Sequence, residues 1–143
     1  MSIRNDIAVN IIKVLKDASD PRFVFVSRAP FDPQQLSNAQ FPCAYVESLN
    51  ETRQDETMSS QTRTARMIVT ITAFVRTSPE QMDETRNNVI ERVEESLDAD
   101  RTRGGVAVET QLINVSVEND VEATIGKIVM ETEVLYKYKT GVV

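Results

Sequence analysis

The order of hydrophobic patterns predicts an α+β fold: one domain, a mainly antiparallel sheet flanked by two helices, and a long polar β-hairpin arm. Three observations carry the prediction. Apolar residues recur at helical spacing near the N-terminus and again after Ser78. Residues 67–76 alternate with the period of a strand, as do two closing segments. The strands come as a run before the second helix and a pair after it, not in regular strand–helix alternation.

The first helix is expected from a Ser2 cap, with Ile3, Ile7, Ile11, Val14, Leu15 and Ala18 on one stripe and Asp20-Pro21 as its stop. Lys13 and Lys16 lie where they complement the helix dipole. A short apolar strand, Phe23 to Val26, precedes a connector containing Pro30 and Pro33. Pro42 opens a strand running from Cys43 to about Arg53, with a turn at Gln54-Asp55-Glu56 and a return strand from about Thr57 to Arg76. Within it Met67, Val69, Ile71, Ala73 and Val75 are the expected core-facing set.

Ser78-Pro79-Glu80-Gln81 reads as an N-cap, a proline at the first helical position and a glutamine placed to close a capping box. Met82, Val89, Val93 and Leu97, with Ile90 beside them, form the second buried stripe. Asp98 to Gly105 turns the chain into a strand over Val106 to Glu118, a turn at Asn119-Asp120, and a last strand from Ile125 to Lys139.

From Cys43 to Ser78 there is neither glycine nor proline, yet Glu47 to Arg66 contains only Leu49, Met58 and Ala65 as apolar side chains. A loop of that length would carry Gly or Pro, and threonine favours extended backbone. This predicts the arm: two strands, polar on both faces, projecting from the domain. Isolated hairpins are marginal in water, so such an arm calls for another chain to cover it. Its charges are mixed, Glu47, Glu51, Asp55 and Glu56 against Arg53, Arg63 and Arg66, which suits pairing between identical subunits. A second candidate interface combines Glu94, Glu95 and Asp98 with Arg101 and Arg103.

Composition limits the chemistry. The 143 residues are 41% apolar and 27% charged with net charge −6, so no basic stripe for gripping nucleic acid is evident. There is no histidine, which removes the usual nucleophile dyads, common zinc sets and the neutral-pH proton shuttle. Cys43 is the only cysteine, fits a buried small apolar residue and suits a reducing site of synthesis. The acidic helix face has no histidine or facing ligand helix, and the Gly104-Gly105 pair follows a helix where a phosphate loop would precede one. No membrane span or signal peptide is expected, and no catalytic, cofactor or metal site.

Several segments together resemble the tail terminator (tail completion) proteins of long-tailed bacteriophages: IRNDIAVNIIKVL, FPCAYVES leading into the polar segment, ARMIVTITAFVRTSPEQMDETRNNVIERVEESL, and IVMETEVLYKYKTG. The likeness covers nearly the whole chain as a pattern of elements, without a signature motif. It implies an α+β subunit of a homo-oligomeric ring, a hexamer in that family, in the virion at the head-proximal end of the tail and assembled in the host cytoplasm. Such a ring caps the tail tube, ends its polymerisation and presents a docking face to the neck or connector protein. DNA would cross its lumen without specific binding, which a negative or mixed-charge lining favours. Deleting Thr52–Thr62 is then expected to leave a folded monomer unable to make rings. Another head–tail connector or a tail-tube protein is the neighbouring alternative, and a small enzyme or ligand-binding module the distant one.

Overall fold

Ser2 starts the first helix as expected: its hydroxyl accepts from the Asn5 amide at 3.1 Å, supplying one partner that the helix start lacks. The computed structural model describes residues 2–19, 22–55, 62–122 and 124–139. Helix α1 spans Ile3–Asp17 and buries Ile7, Ala8, Ile11 and Leu15. Strand β1 is Phe25–Ser27, somewhat later than the pattern suggested, and pairs in parallel with β2, Cys43–Asp55. A parallel neighbour needs a long crossover, and residues 28–42 supply it with two short 3₁₀ turns. Strand β3, Thr62–Arg76, helix α2, Met82–Asp98, strand β4, Glu109–Glu122, and strand β5, Ile125–Lys139, complete the fold.

The five strands form one mixed sheet in the order β1-β2-β3-β5-β4, and only the β1–β2 pair is parallel. Both helices pack on one face, α1 against β1 and β2, α2 against β3, β5 and β4. That face takes Met67, Val69, Ile71, Ala73 and Val75, each essentially inaccessible, so the odd-numbered expectation holds. Burying an Ile, Leu, Val or Met side chain is worth about 1.5–3 kcal/mol, so this row and the helix stripes supply the main driving force. The other face carries a smaller cluster. Phe31 from the crossover packs against Tyr45 and Phe74 at ring separations of 5.4 and 5.6 Å, beside Phe41, Cys43 and Ile125.

Two local expectations are corrected. Pro79–Gln81 forms a separate 3₁₀ turn ahead of α2, Ser78 makes no side-chain cap bond, and Gln81 Oε1 accepts from the Thr77 hydroxyl at 3.3 Å. The Gln81 amide donates to the Ser78 carbonyl instead, so the turn itself meets the need the capping box would have met. At the far end, the β4–β5 ladder does not stop at Glu118. Its register shifts there and closes with Glu122 opposite Ile125, which places the turn later than Asn119-Asp120.

Candidate assembly interface

The projecting arm is not what the described residues form. Strand β3 is paired on both sides down to its first residue, with β2 through Asp55 opposite Arg63 and with β5 through Thr62 opposite Lys139. The segment expected to stand free is therefore part of the body of the sheet. The presumed tip, including Glu56, lies outside the described residues.

A β-bulge explains how so polar a segment enters the sheet. Ser48 lies opposite Val69 but Glu51 lies opposite Met67, so β2 spends one residue more than β3 there. One extra residue sends every later side chain to the opposite face. Glu51 and Arg53 thereby turn toward the helix face, in line with the buried Met67 and Ala65.

Glu51 becomes the centre of a buried polar cluster, its side chain only 6% exposed. Its carboxylate accepts from Arg4 Nη1 at 2.9 Å, from the Tyr136 hydroxyl at 2.6 Å and from Arg53 Nε. Arg4 also donates to the Leu49 carbonyl at 2.8 Å, tying the start of α1 to the bulge. The Arg53 guanidinium lies 4.9 Å from the centre of the Tyr138 ring, and the Tyr136 and Tyr138 rings are 5.8 Å apart. Burial pushes the Glu51 pKa up, but hydrogen bonds from Tyr136, Arg53 and Arg4 outweigh it and hold the carboxyl below its ordinary value. Burial, and then donation to Glu51, raises the Tyr136 hydroxyl well above its usual range.

The remaining arm residues are scattered. Glu47 is half-buried on the opposite face from Glu51, opposite Thr70. Arg66 is exposed and reaches Glu133 on β5 at 3.1 Å, and Arg63 is half-buried opposite Tyr138. Asp55 closes the β2–β3 ladder opposite Arg63. Deleting Thr52–Thr62 would thus remove ladder pairs and Arg53 from the Glu51 cluster, so it is no clean test of assembly.

The second predicted group divides. Glu94 is exposed on α2, Glu95 pairs with Arg92 at 3.1 Å, and Arg101 links Asp98 at 3.6 Å to Glu109 at the start of β4. Donation from Arg101 draws the Glu109 carboxyl below its ordinary value. Arg103 is corrected outright as a surface candidate: it is buried, has a positive φ of 51°, and donates to the Leu97 and Asp100 carbonyls. It caps the C-terminus of α2, where a cation also meets the dipole. Burial lowers its pKa, opposed by Asp100 and Asp98.

A different surface stands out. β4 is an edge strand, and Val108, Ile113, Val115 and Val117 on or beside it are 48%, 45%, 37% and 43% exposed. Here too a bulge decides: Leu112 faces Thr132 and Asn114 faces Glu131, leaving Ile113 extra and turning Val115 and Val117 to the helix face. They lie at the margin of the sheet and stay open to solvent. Their alternation was visible in the sequence as a strand, but nothing local marked them as uncovered.

Among the described residues no group of three or more Cys, Asp or Glu side chains is placed to hold a metal ion, and no helix is long and apolar enough to cross a membrane. No protein-family model matches the chain, and no curated protein matches it at significant similarity.

Proposed function

We propose that this protein is a ring subunit that caps the tail tube of a long-tailed phage, ends tube growth and offers a docking face to the neck. The observation that carries the assembly role is the apolar row on the open edge of β4. Exposed valine and isoleucine side chains on a long unpaired strand are an association hazard unless another chain covers them. The tail assignment rests on the resemblance of the element pattern: an amphipathic first helix, a strand-to-helix unit from Ala65 to Leu97, and a closing strand with Tyr136 and Tyr138. An α+β domain with both helices on one face of its sheet is compatible with a ring element that presents the other face and the sheet edges.

Electron microscopy of the purified protein, alone and with preassembled tail tubes, tests this reading. Closed rings that decorate only tube ends and halt elongation are expected. Self-polymerisation into tubes would reassign it as a tube subunit, and a monomer that ignores tubes would refute the reading.

A further inference from the structure

The exposed large apolar side chains among the described residues fall on two opposite flanks of the sheet. Val106, Val108, Ile113, Val115 and Val117 lie on the β4 flank, whereas Val9, Val24 and Leu49 lie on the α1–β1–β2 flank. Each flank also has an open strand edge. No described strand pairs with β4 on the side away from β5. On the other flank β1 covers β2 only from Cys43 to Tyr45, leaving Val46 to Asp55 open on the side away from β3.

Charge divides the same way. On the α1 flank Arg4, Lys13, Lys16, Arg22 and Arg28 stand against Asp6 and Asp17. Between residues 82 and 118, α2 and the β4 flank hold nine acidic residues against four basic ones, and one of those four, Arg103, is buried. The two flanks are therefore complementary to each other, not to themselves. A two-fold β4-to-β4 contact centred on Ile113 and Asn114 would set Glu109 against Glu118 at both ends, which like-charge repulsion disfavours.

Resting on the ring reading above, we propose that the seam is head-to-tail: β4 of one copy pairs along the open β2 edge of the next. Strand direction permits it. The ladders β2–β3, β3–β5 and β5–β4 are all antiparallel, so β2 runs opposite to β4, and a neighbour in the same orientation adds an antiparallel pair. The helix layer continues as well. The neighbour's α1, which lies over its own β1 and β2, would then cover Val115 and Val117 and bring Val9 toward them. Its lysines and arginines would face the acidic α2. Such a heterologous contact closes into a ring when its rotation permits.

Native mass spectrometry on four samples tests the seam: wild type, the β4 variant Ile113→Lys/Val117→Lys, the opposite-flank variant Val9→Lys/Leu49→Lys, and an equal mixture of the two variants. Far-UV circular dichroism verifies that each is folded. Wild type is expected to form rings and each variant alone to stay monomeric. The mixture should stop at dimers, because one intact β4 flank can still meet one intact β2 flank. Rings from either variant alone, or dimers from the Val9/Leu49 variant alone, would overturn the head-to-tail seam while leaving the ring reading in place. A monomeric wild type would overturn both. The exposed-surface variant Glu91→Lys/Glu94→Lys, which spares the sheet, should weaken association at least tenfold, and unchanged association would also count against the seam.

Discussion

Replacing Glu51 by alanine should destabilise the domain by about 2–3 kcal/mol, more than its place in a polar stretch suggests. The carboxylate is the shared acceptor for Arg4, Arg53 and Tyr136. Without it the fully buried Tyr136 hydroxyl loses its partner, and a buried unsatisfied donor costs about 1–3 kcal/mol. Arg4 and Arg53 keep 27% and 35% of their side chains exposed, so both can turn to water, and each lost pair counts for about 0.2–1 kcal/mol. Release from burying a carboxylate offsets part of the sum. Urea unfolding followed by far-UV circular dichroism measures the change. Tyr136→Phe alone should cost about 1 kcal/mol, and the double variant should cost less than the two singles together, because both remove the same bond. A Glu51→Ala loss below about 0.5 kcal/mol, or strict additivity with Tyr136→Phe, would refute the cluster as a stabilising unit. The pH dependence has a definite sign. The folded Glu51 pKa is depressed, so its contribution is complete above the ordinary glutamate range near ~4.3 and is lost as pH falls through the lower folded value. Glu51→Gln should flatten that acid limb.

Gly126→Ala should cost about 1–2 kcal/mol by overpacking, read from the urea midpoint. An added Cβ would lie 2.5 Å from Met82 Sδ and 3.3 Å from Val75 Cγ2, forcing the start of α2 away from β5. Cys43 is wholly buried, and burial pushes its thiol up to about 12, so a disulfide-exchange reagent at pH 8 should label it only at the rate of unfolding. Fast native-state labelling would mean that the cluster around Phe41 and Phe74 opens locally.

Much of the fold was legible because its signals are local. The Ser2 cap, the stripe Ile7, Ile11 and Leu15, and the alternation from Met67 to Val75 each declare a face through spacing alone. The same local reading misjudged Glu47 to Arg66. Counting side-chain polarity could not reveal that β5 would run along all of β3, nor that Arg4, 47 positions before Glu51, would reach back to neutralise it. The mixed charges picked out there were informative, but as an internal cluster around Glu51 and Arg53. Arg103 misled for a related reason, since its value lies in the carbonyls at the end of α2.

By itself, the sequence determined where helices and strands form and which face of each seeks the core, because those depend on residues a few positions apart. Tertiary structure decided strand order, the two one-residue bulges and the edges left open. Those follow from pairing between distant segments, where a single extra residue at Asn50 or Ile113 reverses the face of everything after it. Hence Glu51 lies inside the domain, and the row from Ile113 to Val117 lies open at its edge.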